Sequence, residues 1–250
     1  MRPLIAGNWK MHGLAAQLVD IEAIADFVQA TPPEADVLIC LPATLVSRAA
    51  QTADGRIAIG GADCHAKVAG AFTGDVSAEM LKDGGAATVI VGHSERRRYH
   101  QETDAMVAAK AEAAWHCGLS TIICIGETQS ERRDGTALAV CGAQIAGSVP
   151  EEVARSGTAA IAYEPLWAIG NGHVPTPAEI AEMHVHIRSC LITLAGPDGA
   201  NIRILYGGSV TSDNAAAILA SRDVDGVLIG GASLKSADFD AVLRTLPGRA

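Results

Sequence analysis

The chain has 250 residues, 49 % of them apolar and 19 % charged, with 26 glycines and only three each of Phe, Tyr and Trp. That length suits one large domain with a substantial core. Nineteen basic against twenty-eight acidic residues give a formal net charge of −9, which argues against a general nucleic-acid binder but not against a small anionic substrate at a locally positive site. The opening MRPLIAGNWKMH lacks a secretory-signal layout, and no apolar run approaches the ~18 residues of a membrane span. Six cysteines without a C-x-x-C pairing read as reduced thiols of a cytoplasmic protein, most of them small core residues.

In chain order, short β-branched runs recur at 3–8 (PLIAGN), 36–41 (DVLICL), 56–61 (RIAIGG), 88–93 (TVIVGH), 121–126 (TIICIG), 159–164 (AAIAYE), 202–207 (IRILYG) and 226–231 (GVLIGG). Each is apolar almost throughout, as parallel strands buried on both faces are. Helical segments lie between them. Residues 14–30 carry Leu14, Leu18, Ile21, Ile24, Ala25 and Val28 as a 3.6-residue stripe, and a capping box begins at Thr176 with Pro177 in the first helical position. Eight β-α units without a composition break predict an α/β protein with a single domain over 1–250, a (β/α)8 barrel. A doubly wound sheet competes, but no G-x-G-x-x-G follows the first run and no G-x-x-x-x-G-K-[ST] is present. A barrel requires its functional residues at the C-terminal strand ends.

Those ends carry chemistry. The first run ends in Asn8, with Lys10 just beyond: an ordinary surface lysine, or an ammonium that steadies a developing oxyanion. The fourth ends in His93, followed by Ser94 as an N-cap and by Glu95, Arg96 and Arg97, which start a helical turn. Backbone N–H groups there disfavour a positive ring, and a neutral imidazole can donate to a carbonyl oxygen. Glu95 is either a partner for Lys10 or a solvated first-turn acid. The sixth run ends in Glu164, and Pro165, Leu166 and Trp167 promise a desolvated, more basic carboxylate. Residues 168–172 (AIGNG) form a flexible tip ahead of Pro175 and Pro177, the build of a lid. The seventh and eighth runs end in glycine pairs, Gly207-Gly208 and Gly230-Gly231, whose exposed N–H groups, with the Ser209 hydroxyl, suit an anion. His184 and His186, two apart on a predicted helix, do not share a face as metal ligands would.

The motifs GNWKM (7–11), GAFTGDVS (70–77), VGHSERR (91–97), CIGE (124–127), AYEPLWAIGNG (162–172), YGGSV (206–210) and GGASL (230–234) closely resemble the triosephosphate isomerase family over essentially the whole length. By that resemblance the function is the interconversion of dihydroxyacetone phosphate and glyceraldehyde 3-phosphate in glycolysis and gluconeogenesis. Glu164 is implied as the base, His93 as a neutral electrophile and Lys10 as the oxyanion's partner, supported by Asn8 and Glu95; the family is a well-known instance of base, neutral histidine and loop closure acting together. The phosphate is implied to rest on the amides of Gly170, Gly230 and Gly231 and on Ser209, under a lid of Pro165, Leu166, Trp167, Ala168, Ile169, Gly170, Asn171 and Gly172. The resemblance also implies a homodimer in which the loop 65–74 brings Thr73 near the partner's active site, with no metal or organic cofactor. Asn171 and His173 stand where the family commonly has threonine and lysine, and Arg98 extends an arginine run without an assigned role. Two alternatives stay open: an isomerase of four-carbon ketose phosphates, with the same proton-transfer groups, and a sugar-phosphate-binding barrel without catalysis.

Overall fold

A computed structural model describes residues 1–168 and 175–246. Eight parallel strands, β1 (Leu4–Asn8), β2 (Asp36–Leu41), β3 (Ala58–Gly61), β4 (Thr88–Val91), β5 (Ser120–Ile125), β6 (Ala159–Tyr163), β7 (Arg203–Tyr206) and β8 (Gly226–Ile229), close into a barrel in sequence order. The closing seam pairs Leu4 with Gly226 and Gly7 with Ile229. Helices connect successive strands, as the expected (β/α)8 barrel demands. Among the described residues no helix is long and apolar enough to cross a membrane.

The two-residue period of a strand explains both the core and the site. One set of side chains, including Leu4, Ala6, Leu38, Cys40, Ile90, Ile122, Cys124, Ala160, Ala162, Leu205 and Leu228, fills the barrel interior. The alternate set, such as Ile5, Ile39, Val89, Ile123, Ile161, Ile204 and Val227, packs outward against the helices. Because both faces are buried, the runs look uniformly apolar in sequence. The inward series then continues past the strands. Leu4 and Ala6 lead to Asn8, Ala160 and Ala162 to Glu164, and Leu228 to Gly230, and these three line one cavity at the C-terminal mouth.

Two local expectations change. The stripe over 14–30 divides into a 3-10 turn, Ala15–Gln17, and the helix Leu18–Ala30, which buries Ile21, Ile24 and Ala25 but leaves Leu14 74 % exposed. Helical phase therefore starts only at Leu18. At the N-terminus of the helix Ser94–Tyr99 the cap is His93 rather than Ser94: the ring Nδ1 accepts the Glu95 N–H, while the serine hydroxyl is drawn to Glu164. The expected capping box is present. Thr176 Oγ1 accepts the Glu179 N–H at 3.2 Å, and Glu179 accepts the Thr176 N–H at 2.8 Å, opening the helix Pro177–Ala195.

Loss of that cap exposes the donors at the helix start, so Thr176→Ala is expected to lower the unfolding free energy by about 1 kcal/mol. Urea unfolding at fixed protein concentration measures it, and an unchanged midpoint and slope contradict it.

Candidate active site

A cavity of about 390 Å³ opens at the C-terminal mouth, lined by Asn8, Lys10, His93 and Glu164 together with the turns after β7 and β8. The end of β1 is shaped for its task. Trp9, 1 % exposed, donates its indole N–H to the Ser233 carbonyl at 2.8 Å, tying β1 to the turn after β8. Lys10 follows with a left-handed backbone, φ 53°, a conformation that costs a non-glycine residue about 1–3 kcal/mol. The Asn8 side chain offsets part of that cost by accepting the Lys10 N–H at 2.9 Å. The Lys10 ammonium reaches Glu95 Oε1 at 2.6 Å, so Glu95 is a partner and not merely a solvated acid.

Glu164 is 2 % exposed and triply held. Ser94 donates its N–H to Oε2 and its hydroxyl to Oε1, both at 2.9 Å, and His93 Nε2 stands 3.0 Å from Oε1. Burial, the largest influence, raises the pKa of this carboxylate; His93 and the Ser94 donors together prevail and hold it below the ordinary range. The expected gain in basicity is therefore absent while these contacts last. A side chain on Gly207 would crowd the base, because a Cβ there would lie 3.1 Å from Glu164 Cγ.

His93 is also buried, and burial, its largest influence, disfavours the charged ring. The Glu164 carboxylate, with a smaller push from Glu95, overrides this and raises the His93 pKa, opposite to the direction expected from a helix N-terminus alone. Partner geometry assigns the tautomer: Nδ1 accepts the Glu95 N–H at 3.3 Å, so the single proton of the neutral ring sits on Nε2, facing Glu164.

The 3-10 turn Gly231–Ser233, preceded by Gly230, follows β8. The first N–H groups of such a turn have no acceptor within it. Ser209, Gly230 and Gly231 share the cavity with Glu164. Thr73 does not; it is exposed on the loop after β3. Ile169, Gly170, Asn171, Gly172 and His173 lie outside the described residues.

The residues flanking 169–174 have an anchor that sequence reasoning missed. Glu127, fully buried, accepts the Tyr163 hydroxyl at 3.0 Å and the Trp167 indole N–H at 2.7 Å. The Arg132 guanidinium lies 5.4 Å from the Trp167 ring centroid and pairs with Glu179 at 3.3 Å. One arginine thus links the 3-10 turn Leu166–Ala168 to the helix that begins at Pro177. A charged residue straight after an apolar strand, in CIGE, was the available signal for Glu127.

A sequence model of the triosephosphate isomerase family matches residues 3–246. The triosephosphate isomerase of Ruegeria sp. is 55 % identical over 246 residues, covering 98 % of each chain. That of Rhodopseudomonas palustris is 52 % identical over 250 residues, covering 99 % of this chain and 98 % of its own. The crystal structure of triosephosphate isomerase from Bartonella henselae superposes with a TM-score of 0.91 at 46 % identity, over 98 % of this chain and 99 % of that one. With a barrel of the same order and one cavity shared by Asn8, Lys10, His93 and Glu164, the chain belongs to the triosephosphate isomerase family.

Proposed function

We infer that the protein interconverts dihydroxyacetone phosphate and D-glyceraldehyde 3-phosphate by moving a proton between adjacent carbons through an enediolate. The observation that carries this reading is the convergence of Glu164, His93 and Lys10 on one cavity that they share with the glycine turns after β7 and β8. The substrate phosphate is assigned to Ser209 and to the amides of Gly230, Gly231 and Gly170, with Pro165 to Gly172 as the lid that excludes water. Glu164 leaves Ser94 and takes the proton from carbon, and the electron pair moves into the carbonyl. Neutral His93 gives its Nε2 proton to that oxygen and takes one back from the hydroxyl on the adjacent carbon, which becomes the new carbonyl. The Lys10 ammonium, held by Glu95 and positioned by Asn8, balances the oxyanion. Glu164 then returns the proton to the neighbouring carbon. Departure of Glu164 from His93 also removes the main influence favouring an imidazolium, which keeps the ring neutral while it acts.

The same reading carries a single domain over residues 1–250, a cytoplasmic location and a homodimer. Six unpaired thiols support the location. Exposed apolar side chains support the dimer: Met11 and Leu14 beyond β1, Val68 and Phe72 beyond β3, and Tyr99 beyond β4. A Lys67 N–H bond to His65 Nδ1 at 3.0 Å and a His65–Phe72 ring contact at 4.2 Å brace the loop 65–74 that would present Thr73 to the partner.

Glu164→Gln is expected to abolish most turnover while folding and phosphate binding persist, and Glu164→Asp, one methylene short, to cost ~10²-fold in kcat. Full activity in either variant, assayed with glyceraldehyde 3-phosphate, overturns the assignment of the base.

Ser94→Ala removes a donor that favours ionised Glu164, so its pKa rises and the acid limb of kcat/KM moves to higher pH. The stability Glu164 contributes is fully present above its unfolded value of about 4.3 and is lost as pH falls from there through its lowered folded pKa, so in the variant the contribution is smaller and its loss is complete at higher pH. A limb that stays put or moves down contradicts this.

Sedimentation at micromolar concentration should show a dimer. Thr73→Arg should yield monomers with depressed turnover; fully active monomers count against the shared site.

A further inference from the structure

We propose that Gln144 is a positioning residue for the base: its side-chain amide clamps the backbone of Gly126, and Gly126 in turn fixes where Glu164 leaves its strand. The inference rests on the isomerase reading of the site.

Gln144 lies half-buried in the helix Ala137–Ser148, which follows β5. Its Oε1 accepts the Gly126 N–H at 2.8 Å, and its Nε2 donates to the Gly126 carbonyl at 3.1 Å. One side chain thus completes both backbone bonds of a single residue, the service a neighbouring strand ordinarily provides. It is needed there. The β4–β5 ladder ends at Val91–Ile123, and β5 itself ends at Ile125. Without Gln144, two buried peptide groups at Gly126 would lose their partners, and a buried peptide group left unsatisfied is destabilising.

Gly126 touches the base's own backbone. A Cβ at this position would lie 1.9 Å from the Glu164 carbonyl oxygen and 3.1 Å from Leu166 Cδ1. The residues on either side of Gly126 hold the same stretch: Ile125 O accepts the Glu164 N–H at 2.8 Å, and Glu127 O accepts the Leu166 N–H at 3.2 Å. The Gly126 backbone is therefore the floor on which Glu164 and Pro165 rest, and Gln144 secures that floor through both of its bonds to Gly126. The carboxylate must swing between Ser94 and substrate while its Cα stays fixed. A shift on the order of 1 Å at the base can cost ~10²-fold in rate.

Gln144→Leu keeps the bulk and removes both hydrogen bonds. The expected result is a fall in kcat of roughly 10- to 10²-fold with KM within about twofold, because most of the groups assigned to the substrate phosphate follow β7 and β8 and do not touch Gly126. Hydrogen exchange at the Gly126 amide of substrate-free protein should quicken at least about tenfold. Gln144→Glu gives a readout that packing alone does not move. The protonated acid offers one acceptor and one O–H donor, as the amide does, whereas the carboxylate offers only acceptors. Its kcat relative to wild type should therefore rise as pH falls from about 8 to about 5.5.

Wild-type kcat in a folded Gln144→Leu protein, a KM increase without loss of kcat, or a pH-independent ratio for Gln144→Glu overturns the proposal. If Gln144→Leu fails to fold, the Gln144→Glu ratio decides it. Failure of the wild-type protein to isomerise triose phosphates defeats the functional reading instead, and the Gly126 exchange rate still supports or overturns the clamp.

Discussion

A carboxylate 2 % exposed at the end of β6 is the constraint around which the mouth of this barrel is organised. An isolated buried charge either takes up a proton or collects donors. Glu164 collects them, from the Ser94 amide, the Ser94 hydroxyl and His93. Hydrogen bonds to a charged group contribute about 1.5–3 kcal/mol each, so the resting grip is strong. It is also temporary in the proposed mechanism. Binding energy from the distant phosphate offsets release of the carboxylate, after which burial, the strongest influence on Glu164, acts without its counterweight and makes the group more basic. The same residue is thus stable as an anion at rest and reactive once substrate has displaced its partners.

Supporting groups keep this release local. Trp9, bonded to Ser233, joins β1 to the turn after β8 and so ties the strand end that carries Lys10 to the glycine turn. Glu127 holds the Tyr163 hydroxyl and the Trp167 indole together, and Arg132 spans from Trp167 to Glu179 beyond the segment 169–174. These contacts place the fixed points of any closing motion on the outer side of β5 and β6, while the inward face carries the chemistry. Strand alternation produces that separation: Tyr163 points to the helices and Glu164 to the cavity.

Much of the fold was legible because double-sided burial leaves a plain signature. All eight apolar runs contain strands, with ends that differ from the expected ones by at most two residues. The Thr176 capping box was legible because it is encoded within four residues. Long-range partners escaped. His93 caps its helix because Ser94 is claimed by Glu164, seventy residues away along the chain. The low resting pKa of Glu164 arises from the same contacts, and no local pattern announces them. Gln144 looked like any polar residue on a helix, since its partner lies 18 residues earlier. Glu95 left two readings open until the 2.6 Å contact with Lys10 decided between them.

The central claim is that one carboxylate carries hydrogen between neighbouring carbons and, while holding it, exchanges with solvent. Incubation of the protein with dihydroxyacetone phosphate in deuterium oxide, followed by mass spectrometry of both triose phosphates, tests it most directly. The account predicts a single carbon-bound deuterium in the isomerised product and in returned substrate. Isomerisation that leaves both compounds free of solvent deuterium would mean hydrogen passes directly between the carbons, and the account built on Glu164 would be wrong.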